Sequence, residues 1–385
     1  MSLQPLRVLH VLGELKPSGA ETMLVAAAPL FHAHGVEAEV LSTGASEGPF
    51  AERFRAAGYT VRHLPFGRSP AFFLRERQLM AAGKYDVIHL HGEKANFWHG
   101  LVAWSVRPAV LLRTVHNVFP FTGNLQWRRG WQRRTLHRLG VQHVAISDSV
   151  QRTEARHYRL PTTLIWNWYD SARFTATSEA ERTAARQALD IAPDDFVIAS
   201  IGNCSRVKNH TALIQALARI PAAKRPLYLH AGLEEEHQPE RDLARSLGLE
   251  TRIRFIGGAS DVLTLLRAAD AYVMPSLYEG FGISAIEALA TGLPAVFTDV
   301  PGLRDFKSDF PGLIYTGTSS EALAHGIEAL MQIEPSERAQ MARLYPQMTR
   351  RRFGMERGVE EYLAIYRRAA GSTRNDYPLL EVDEA

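Results

Sequence analysis

Short apolar runs alternate with stretches of helical periodicity along this chain, and they do so twice. Arg7–Gly13, Ala38–Ser42, Thr60–Leu64, Val87–Leu90, Ala109–Val115, Gly140–Ser147 and Thr163–Asn167 read as buried strands. After a polar interval the pattern resumes with Phe196–Gly202, Leu227–Ala231, Ile253–Ile256, Ala271–Pro275 and Ala295–Thr298. Helical stretches fall between them, among them Ala20–His34, Thr211–Ala218, Pro239–Leu247, Val262–Ala269 and Ser284–Ala290. Strands separated by helices cannot pair as hairpins; they form parallel sheets with the helices packed on their faces. The interval Tyr169–Asp195, which includes SARFTATSEAERTA and the turn Ala-Pro-Asp-Asp, divides the two runs. A chain of 385 residues built this way is expected to form two α/β domains. Two such domains would place a cleft at the carboxyl ends of both sheets, where open α/β sheets bind ligands.

Composition excludes several other classes. The longest apolar stretch, Ala95 to Leu112, is broken by His99, Arg107 and Pro108, whereas a spanning helix needs about 20 apolar residues. The N-terminal apolar run Val8–Leu12 is too short for a secretory signal. Cys204 is the single cysteine, so no internal disulfide can form and a reducing, cytoplasmic setting is expected. The net charge of +3 hides an asymmetry. Residues 1–175 carry 21 Lys and Arg against 12 Asp and Glu, while the remainder carries 23 against 29. A basic half suits anionic lipid, a phosphorylated substrate or nucleic acid.

The segment Tyr278–Gly292, YEGFGISAIEALATG, carries two glutamates eight positions apart around a Gly-Phe-Gly turn. Gly280–Ala285 matches the dinucleotide fingerprint G-x-G-x-x-G/A, and Asp299 follows Gly280 by 19 residues, where a ribose-binding acid would sit. Three features oppose a nicotinamide site. The connection from Met274 to Gly282 is long, the motif follows the fourth strand of its run instead of the first, and Glu279 would repel a pyrophosphate. A reading that uses both acids fits better. A helix N-terminus at Gly280–Gly282 offers backbone N–H groups and positive dipole character to a diphosphate. Glu287 lies roughly 7–8 Å along that helix at about 1.5 Å per residue, on a face with Ser284 and Ile283, and can accept both hydroxyls of a ribose. Glu279, before the turn, can accept hydroxyls of a sugar.

PSLYEGFGISAIEALATGLPAV resembles the E-x7-E signature of the retaining GT-B glycosyltransferases of glycosyltransferase family 4. VLHVLGELKPSGAE, DVIHLHGEKAN, LLRTVHNVF, AISDSV, IGNCSRVKNH and RFIGGASDVLTLLRAADAYVMPS are similar to further segments of that family, in the same order. The resemblance implies two Rossmann-like parallel-sheet domains facing each other across a cleft. Residues 1–168 would form the acceptor domain and 169–351 the donor domain. A terminal helix read over 348–366 would end near Arg368, its part from about 352 to 369 crossing back onto the first domain, and 372–385 would be a disordered tail. It implies transfer of a hexose from a nucleotide-diphosphate sugar, UDP before GDP, to a lipid-linked or polysaccharide-precursor glycan, without a metal ion or other cofactor. No Asp-x-Asp metal motif is present.

Carried over by residue, the resemblance gives Glu279 the donor-sugar hydroxyls and Glu287 the ribose. It gives the Gly280, Phe281, Gly282 and Ile283 stretch the sugar and diphosphate, and places Val262 beside the base. Gly19 would let the backbone approach the β-phosphate, and His116 would lie beside the sugar. The family's arginine position after the first strand of the donor domain reads Asn203 here, so Arg206 and Lys208 are the candidates for stabilising the departing diphosphate. Other histidines, His89 and His91 included, have no metal-ligand partners at convincing spacing. Two rival classes remain: a nucleotide-sugar epimerase on the same fold, and a non-catalytic binding protein, which Asn203 motivates.

Trp127, Arg128, Arg129, Trp131, Arg133 and Arg134 interleave aromatics and arginines within 119–140. That pattern fits a helix lying on an anionic bilayer or gripping a lipid phosphate. Stacking on RNA uses similar residues, but nothing else in the chain supports nucleic acid. A peripheral position on the inner face of the cell membrane is the resulting expectation.

Overall fold

The computed structural model describes residues 5–119, 121–258 and 261–371. One sheet contains β1 (Leu6–Leu12), β2 (Val36–Ser42), β3 (Thr60–His63), β4 (Val87–Leu90), β5 (Val110–Val115), β6 (Gln142–Ala145) and β7 (Thr163–Leu164). Its order is β3-β2-β1-β4-β5-β6-β7, parallel throughout. The second contains β8 (Val197–Ile201), β9 (Leu227–Ala231), β10 (Ile253–Phe255), β11 (Ala271–Met274), β12 (Ala295–Thr298) and β13 (Ile314–Thr316). Its order is β10-β9-β8-β11-β12-β13, again parallel. Both sheets are Rossmann-like. Their inner strands β4, β5, β9, β11 and β12 are buried along their whole length, as a sheet covered by helices on both faces requires. β13 escaped the sequence reading because a three-residue, half-buried edge strand carries no usable pattern.

The chain divides into two compact units, one of residues up to Trp166 together with those from Met355 onward, the other of Asn167–Gly354. In the first, Leu9, Val11, Ile88, Leu90, Val102 and Leu136 belong to one buried cluster. In the second, Ile198, Leu213, Leu217, Tyr228, Val273, Val296 and Ile327 form the core.

The single terminal helix read over 348–366 is two helices, Pro335–Phe353 and Met355–Gly371, broken at Gly354. Gly354 turns extended (φ −62°, ψ 145°) and bridges to Tyr169. Glycine is a poor helix former and yields readily at such a point. The last helix packs within the first unit through a buried polar network. Its Tyr366 hydroxyl lies 2.7 Å from His89 Nδ1, His89 Nε2 lies 2.7 Å from Thr114 Oγ1, and Thr114 Oγ1 lies 2.9 Å from the Tyr362 hydroxyl. Residues 372–385, read as a disordered tail, lie outside the described residues.

Tyr366→Phe strands His89 Nδ1 in a buried place, and a buried polar atom without its partner costs about 1–3 kcal/mol. Urea unfolding is expected to show a lower midpoint for this variant at unchanged slope; an unchanged midpoint would mean that the network does not anchor the helix.

Candidate active site

In the second unit the site is assembled from loops that leave the carboxyl ends of adjacent strands. Lys208 follows β8 and Glu279 follows β11; the Lys208 ammonium donates to Glu279 Oε1 at 2.7 Å. The Ser276 hydroxyl donates to the same oxygen at 2.6 Å. The two loops are stitched together by Leu277 N donating to Val207 O (2.8 Å) and Asn209 Nδ2 donating to Pro275 O (3.0 Å). A third loop, after β12, supports Glu279 from beneath: Glu279 N donates to Pro301 O at 3.1 Å. Gly302 there has φ +86°, and a Cβ on it would stand 2.5 Å from the Glu279 carbonyl oxygen. Only glycine fits both the angle and the approach.

Asn203 is exposed, and its Oδ1 accepts from Leu233 N at 2.9 Å, tying the β8 loop to the β9 loop. The neighbouring Gly232 passes so close that a Cβ would lie 2.0 Å from Gly202 O. Arg206 is exposed and makes no hydrogen bond or ion pair among the described residues. The fixed cation of this loop is therefore Lys208.

Helix Ile283–Ala290 begins at Gly282, in the left-handed region (φ +91°), with no side-chain cap. Its first-turn amides at Ile283 and Ser284 thus precede the internal hydrogen-bond ladder and carry positive partial charge. The Ser284 hydroxyl anchors this end, donating to Ile201 O at 3.1 Å and accepting from the Tyr272 hydroxyl at 2.9 Å. The Phe281 side chain is buried against Phe306 and Phe353, with ring centroids 5.3 and 5.2 Å away. Glu287 is buried, and burial pushes its carboxyl up to about 8; the Arg173 charge opposes the rise and Asp170 adds to it. Val262 is half-buried at the start of helix Val262–Ala268, whose cap Asp261 pairs with Arg173 at 3.5 Å. Sequence reasoning missed Arg173. It lies in the polar interval read as a divider, and only the fold brings it between Asp261 and Glu287.

In the first unit, Gly19 is exposed and opens helix Gly19–Ala33, with Ser18 as its cap. The Ser18 hydroxyl donates to the carboxylate of Glu21, whose side chain is buried and whose pKa burial raises. His116 is half-buried beyond β5, and its Nε2 lies 3.0 Å from His91 Nδ1. His91 Nε2 lies in turn 3.0 Å from His10 Nδ1. Burial lowers His116 to about 4 and His10 to about 3, and holds His89 and His91 well below the ordinary histidine value. The fold gives His89 and His91 the partner that sequence spacing did not: ligand-capable atoms of His10, His89 and His91 all lie within 4.8 Å of one another. The legible signal was alternation. His10 stands in register with His89, and residues two apart on a strand share a face.

Helix Gly123–Arg138 distributes its aromatic and basic residues over two faces. Trp127 (71% exposed), Trp131 and Arg128 reach solvent. Arg133 is buried, paired with Glu154 at 2.9 Å and Glu93 at 3.0 Å, and lies 4.2 Å from the centre of the Tyr158 ring. Arg134 donates to Tyr158 O at 3.0 Å. Arg129 lies over Phe121 and 4.0 Å from Glu93. Arg128 and Arg129 also line an open pocket of about 270 Å³ with Phe66, Arg68, Phe97 and Trp98. No helix among the described residues is long and apolar enough to cross a membrane.

Two Rossmann-like parallel-sheet units in one chain are the architecture of the GT-B class of glycosyltransferase folds. Comparison with known proteins gives the family. Residues 17–173 match the model of Glycosyltransferase Family 4, and residues 181–345 match that of Glycosyl transferases group 1. A D-inositol 3-phosphate glycosyltransferase of Salinispora tropica is 30% identical over 82% of this chain and 71% of its own. The lipopolysaccharide core biosynthesis mannosyltransferase LpsB of Rhizobium meliloti is 28% identical over 73% of this chain and 83% of its own. Among solved structures, a glycosyltransferase of Rickettsia africae superposes with a TM-score of 0.83 at 18% identity, over 96% of this chain and all of that one. Anabaena HepE, solved with UDP and glucose, gives 0.77 at 22%, over 94% of this chain and all of that one. The chain belongs to the group 1, family 4-type glycosyltransferases and is a relative of lipopolysaccharide core biosynthesis enzymes.

The histidines of the first unit also set its acid stability. Folded His10 and His116 protonate only at about 3 and about 4, and the unfolded chain protonates near 6.5. The unfolded state binds protons first, so stability is complete above about pH 6.5 and is lost as pH falls, by at most about 1.4 kcal/mol per unit and group. Urea midpoints followed by tryptophan fluorescence are expected to drop between about pH 6.5 and about pH 5, above the range where ordinary carboxylates titrate. Five of the six tryptophans, Trp98, Trp104, Trp127, Trp131 and Trp166, report from this unit. A flat profile would contradict neutral burial.

Proposed function

We propose that this protein transfers a hexosyl group from a nucleotide-diphosphate sugar to an acceptor hydroxyl with retention of anomeric configuration. The observation that carries the reading is the Lys208–Glu279 ion pair beside the uncapped N-terminus of helix Ile283–Ala290. Before substrate binds, each group neutralises the other. An arriving diphosphate competes for Lys208 and for the Gly280–Ile283 backbone, which releases Glu279 to accept the sugar hydroxyls. The diphosphate departs toward Lys208, with Arg206, exposed on the same loop, swinging in as a second cation. An oxocarbenium-like transition state follows, and the acceptor hydroxyl attacks on the face the diphosphate leaves, giving its proton to a departing phosphate oxygen. Glu279 and His116 orient the sugar, Gly19 admits the β-phosphate, Val262 flanks the base and Glu287 takes the ribose. Asn203 acts indirectly, by holding the loop that carries Lys208. No metal or other cofactor is invoked, because side-chain cations and helix amides supply the positive charge.

UDP is the favoured carrier and GDP the next; HepE was solved with UDP and glucose. A lipid-linked or polysaccharide-precursor acceptor is favoured by the kinship with LpsB and by the exposed Trp127, Arg128, Trp131 surface. That surface would seat the enzyme on the anionic inner face of the membrane.

Glu279→Ala and Lys208→Ala are each expected to lower transfer by at least about 100-fold while circular dichroism shows a folded chain. Full activity in both would sink the site assignment. The same assay without acceptor should return the donor unepimerised, which separates transfer from epimerisation. Glu287 adds a pH signature. Its carboxyl, pushed up to about 8, is protonated at neutral pH, whereas ribose hydroxyls donate to the carboxylate. Binding must therefore release a proton, and nucleotide affinity is expected to rise with pH up to about 8, by at most about tenfold per unit. Calorimetry in buffers of different ionisation enthalpy measures that release; no released proton would remove Glu287 from the ribose.

A further inference from the structure

The buried histidines of the first unit reach beyond the loop that carries His116. His10 on β1, His89 and His91 on and just past β4, and Thr114 and His116 on and just past β5 continue one alternation on one face of the sheet. Two separate hydrogen-bonded sets result. His89 is held by Tyr366 and Thr114, so both of its nitrogens are engaged. His10, His91 and His116 form a chain through two N···N contacts of 3.0 Å each. A metal would need His89 and His91 to aim lone pairs at one point. Their rings instead lie tilted over one another, 3.9 Å between centroids at 33°, and both His89 nitrogens are already taken by Tyr366 and Thr114, so His89 has no lone pair left to aim at an ion.

The chain has a consequence for tautomers. A neutral imidazole carries one N–H and one lone pair. Both nitrogens of His91 are engaged, so its two hydrogen bonds must run in the same direction, either from His10 toward His116 or the reverse. A doubly donating His91 would be a buried cation, which desolvation opposes. The remaining nitrogen of His116, Nδ1, makes no hydrogen bond among the described residues. Its character, donor or acceptor, is thus set by the state of His91.

We propose that His91, backed by His10, is a positioning residue that holds the His116 ring in one plane and one tautomer, so that Nδ1 presents a single hydrogen-bonding character to the substrate. The inference rests on the reading of His116 as the neighbour of the donor sugar. Its structural half is tested without substrate.

The test uses full-length protein with 15N-labelled histidine at neutral pH. Native His116 should show one protonated and one unprotonated ring nitrogen. His91→Leu should average the two toward a tautomer mixture. His91→Asn places an amide near the former Nδ1 and should restore a single tautomer. In steady-state kinetics, His91→Leu is expected to lose about 10- to 100-fold in kcat, with donor KM changed less than about threefold, because misorientation affects the transition state first. His91→Asn should recover most of that loss. A tautomer mixture in the native protein, an unmoved His116 signal in His91→Leu, or an unchanged kcat in that variant overturns the proposal. If His91→Leu does not fold, the native spectrum and His91→Asn still decide, a mixture in either being fatal. Should no nucleotide sugar support transfer while the tautomer is locked and released as described, the transfer reading fails and the histidine chain stands.

Discussion

A parallel sheet with helices on both faces leaves a polar side chain one easy place, beyond the carboxyl end of its strand. Most of the chemistry in this protein obeys that constraint. Lys208, Glu279 and Gly302 follow β8, β11 and β12, three strands that neighbour one another in the second sheet. His91 and His116 follow β4 and β5 in the first. The groups meet because strands brought side by side by crossovers release their loops at the same edge. Among the exceptions are His10, His89 and Thr114, polar and buried within the sheet itself. They are tolerated because they bond one another, the tyrosines of the last helix, or His91.

The second unit holds its two acids in opposite ways. Glu279 accepts from Lys208 and Ser276, whereas burial drives Glu287 toward the protonated form. Both arrangements are provisional in chemical terms. A cation paired with a carboxylate can exchange to a phosphate, and a protonated acid can ionise when hydroxyl donors reach it. The helix start that lies between the two acids in the chain contributes its uncapped amides there. A sugar, a diphosphate and a ribose would meet these features in the order in which they are joined.

Helix Gly123–Arg138 shows how one charged segment serves two purposes. Arg133 and Arg113 share the carboxylates of the half-buried Glu93 and the buried Glu154 in one ion network, in which each charge needs its opposites because removing one strands the rest. The opposite side leaves Trp127, Arg128 and Trp131 open to solvent. Its basic residues therefore split between internal structure and an outward surface, and composition alone could not divide them.

The sequence by itself determined the alternation of strands and helices, the parallel sheets and the strand-loop-helix that bears Glu279 and Glu287. These features are local: burial on two faces forces continuous apolar runs, and a helix start after a strand leaves its glycines in plain view. Even there a three-residue edge strand and the break at Gly354 were not legible, because short elements and single glycines carry little periodic signal. What only the tertiary structure decided is pairing at long range. Lys208 meets Glu279 across 71 residues of chain and His10 meets His91 across 81. Asn203, which looked like a missing arginine, turned out to clamp a loop. The physical reason is the same in each case. A side chain's charge state and hydrogen-bond partner depend on what lies within a few ångströms, and the crossover order of a sheet, not the order of residues, fixes those neighbours.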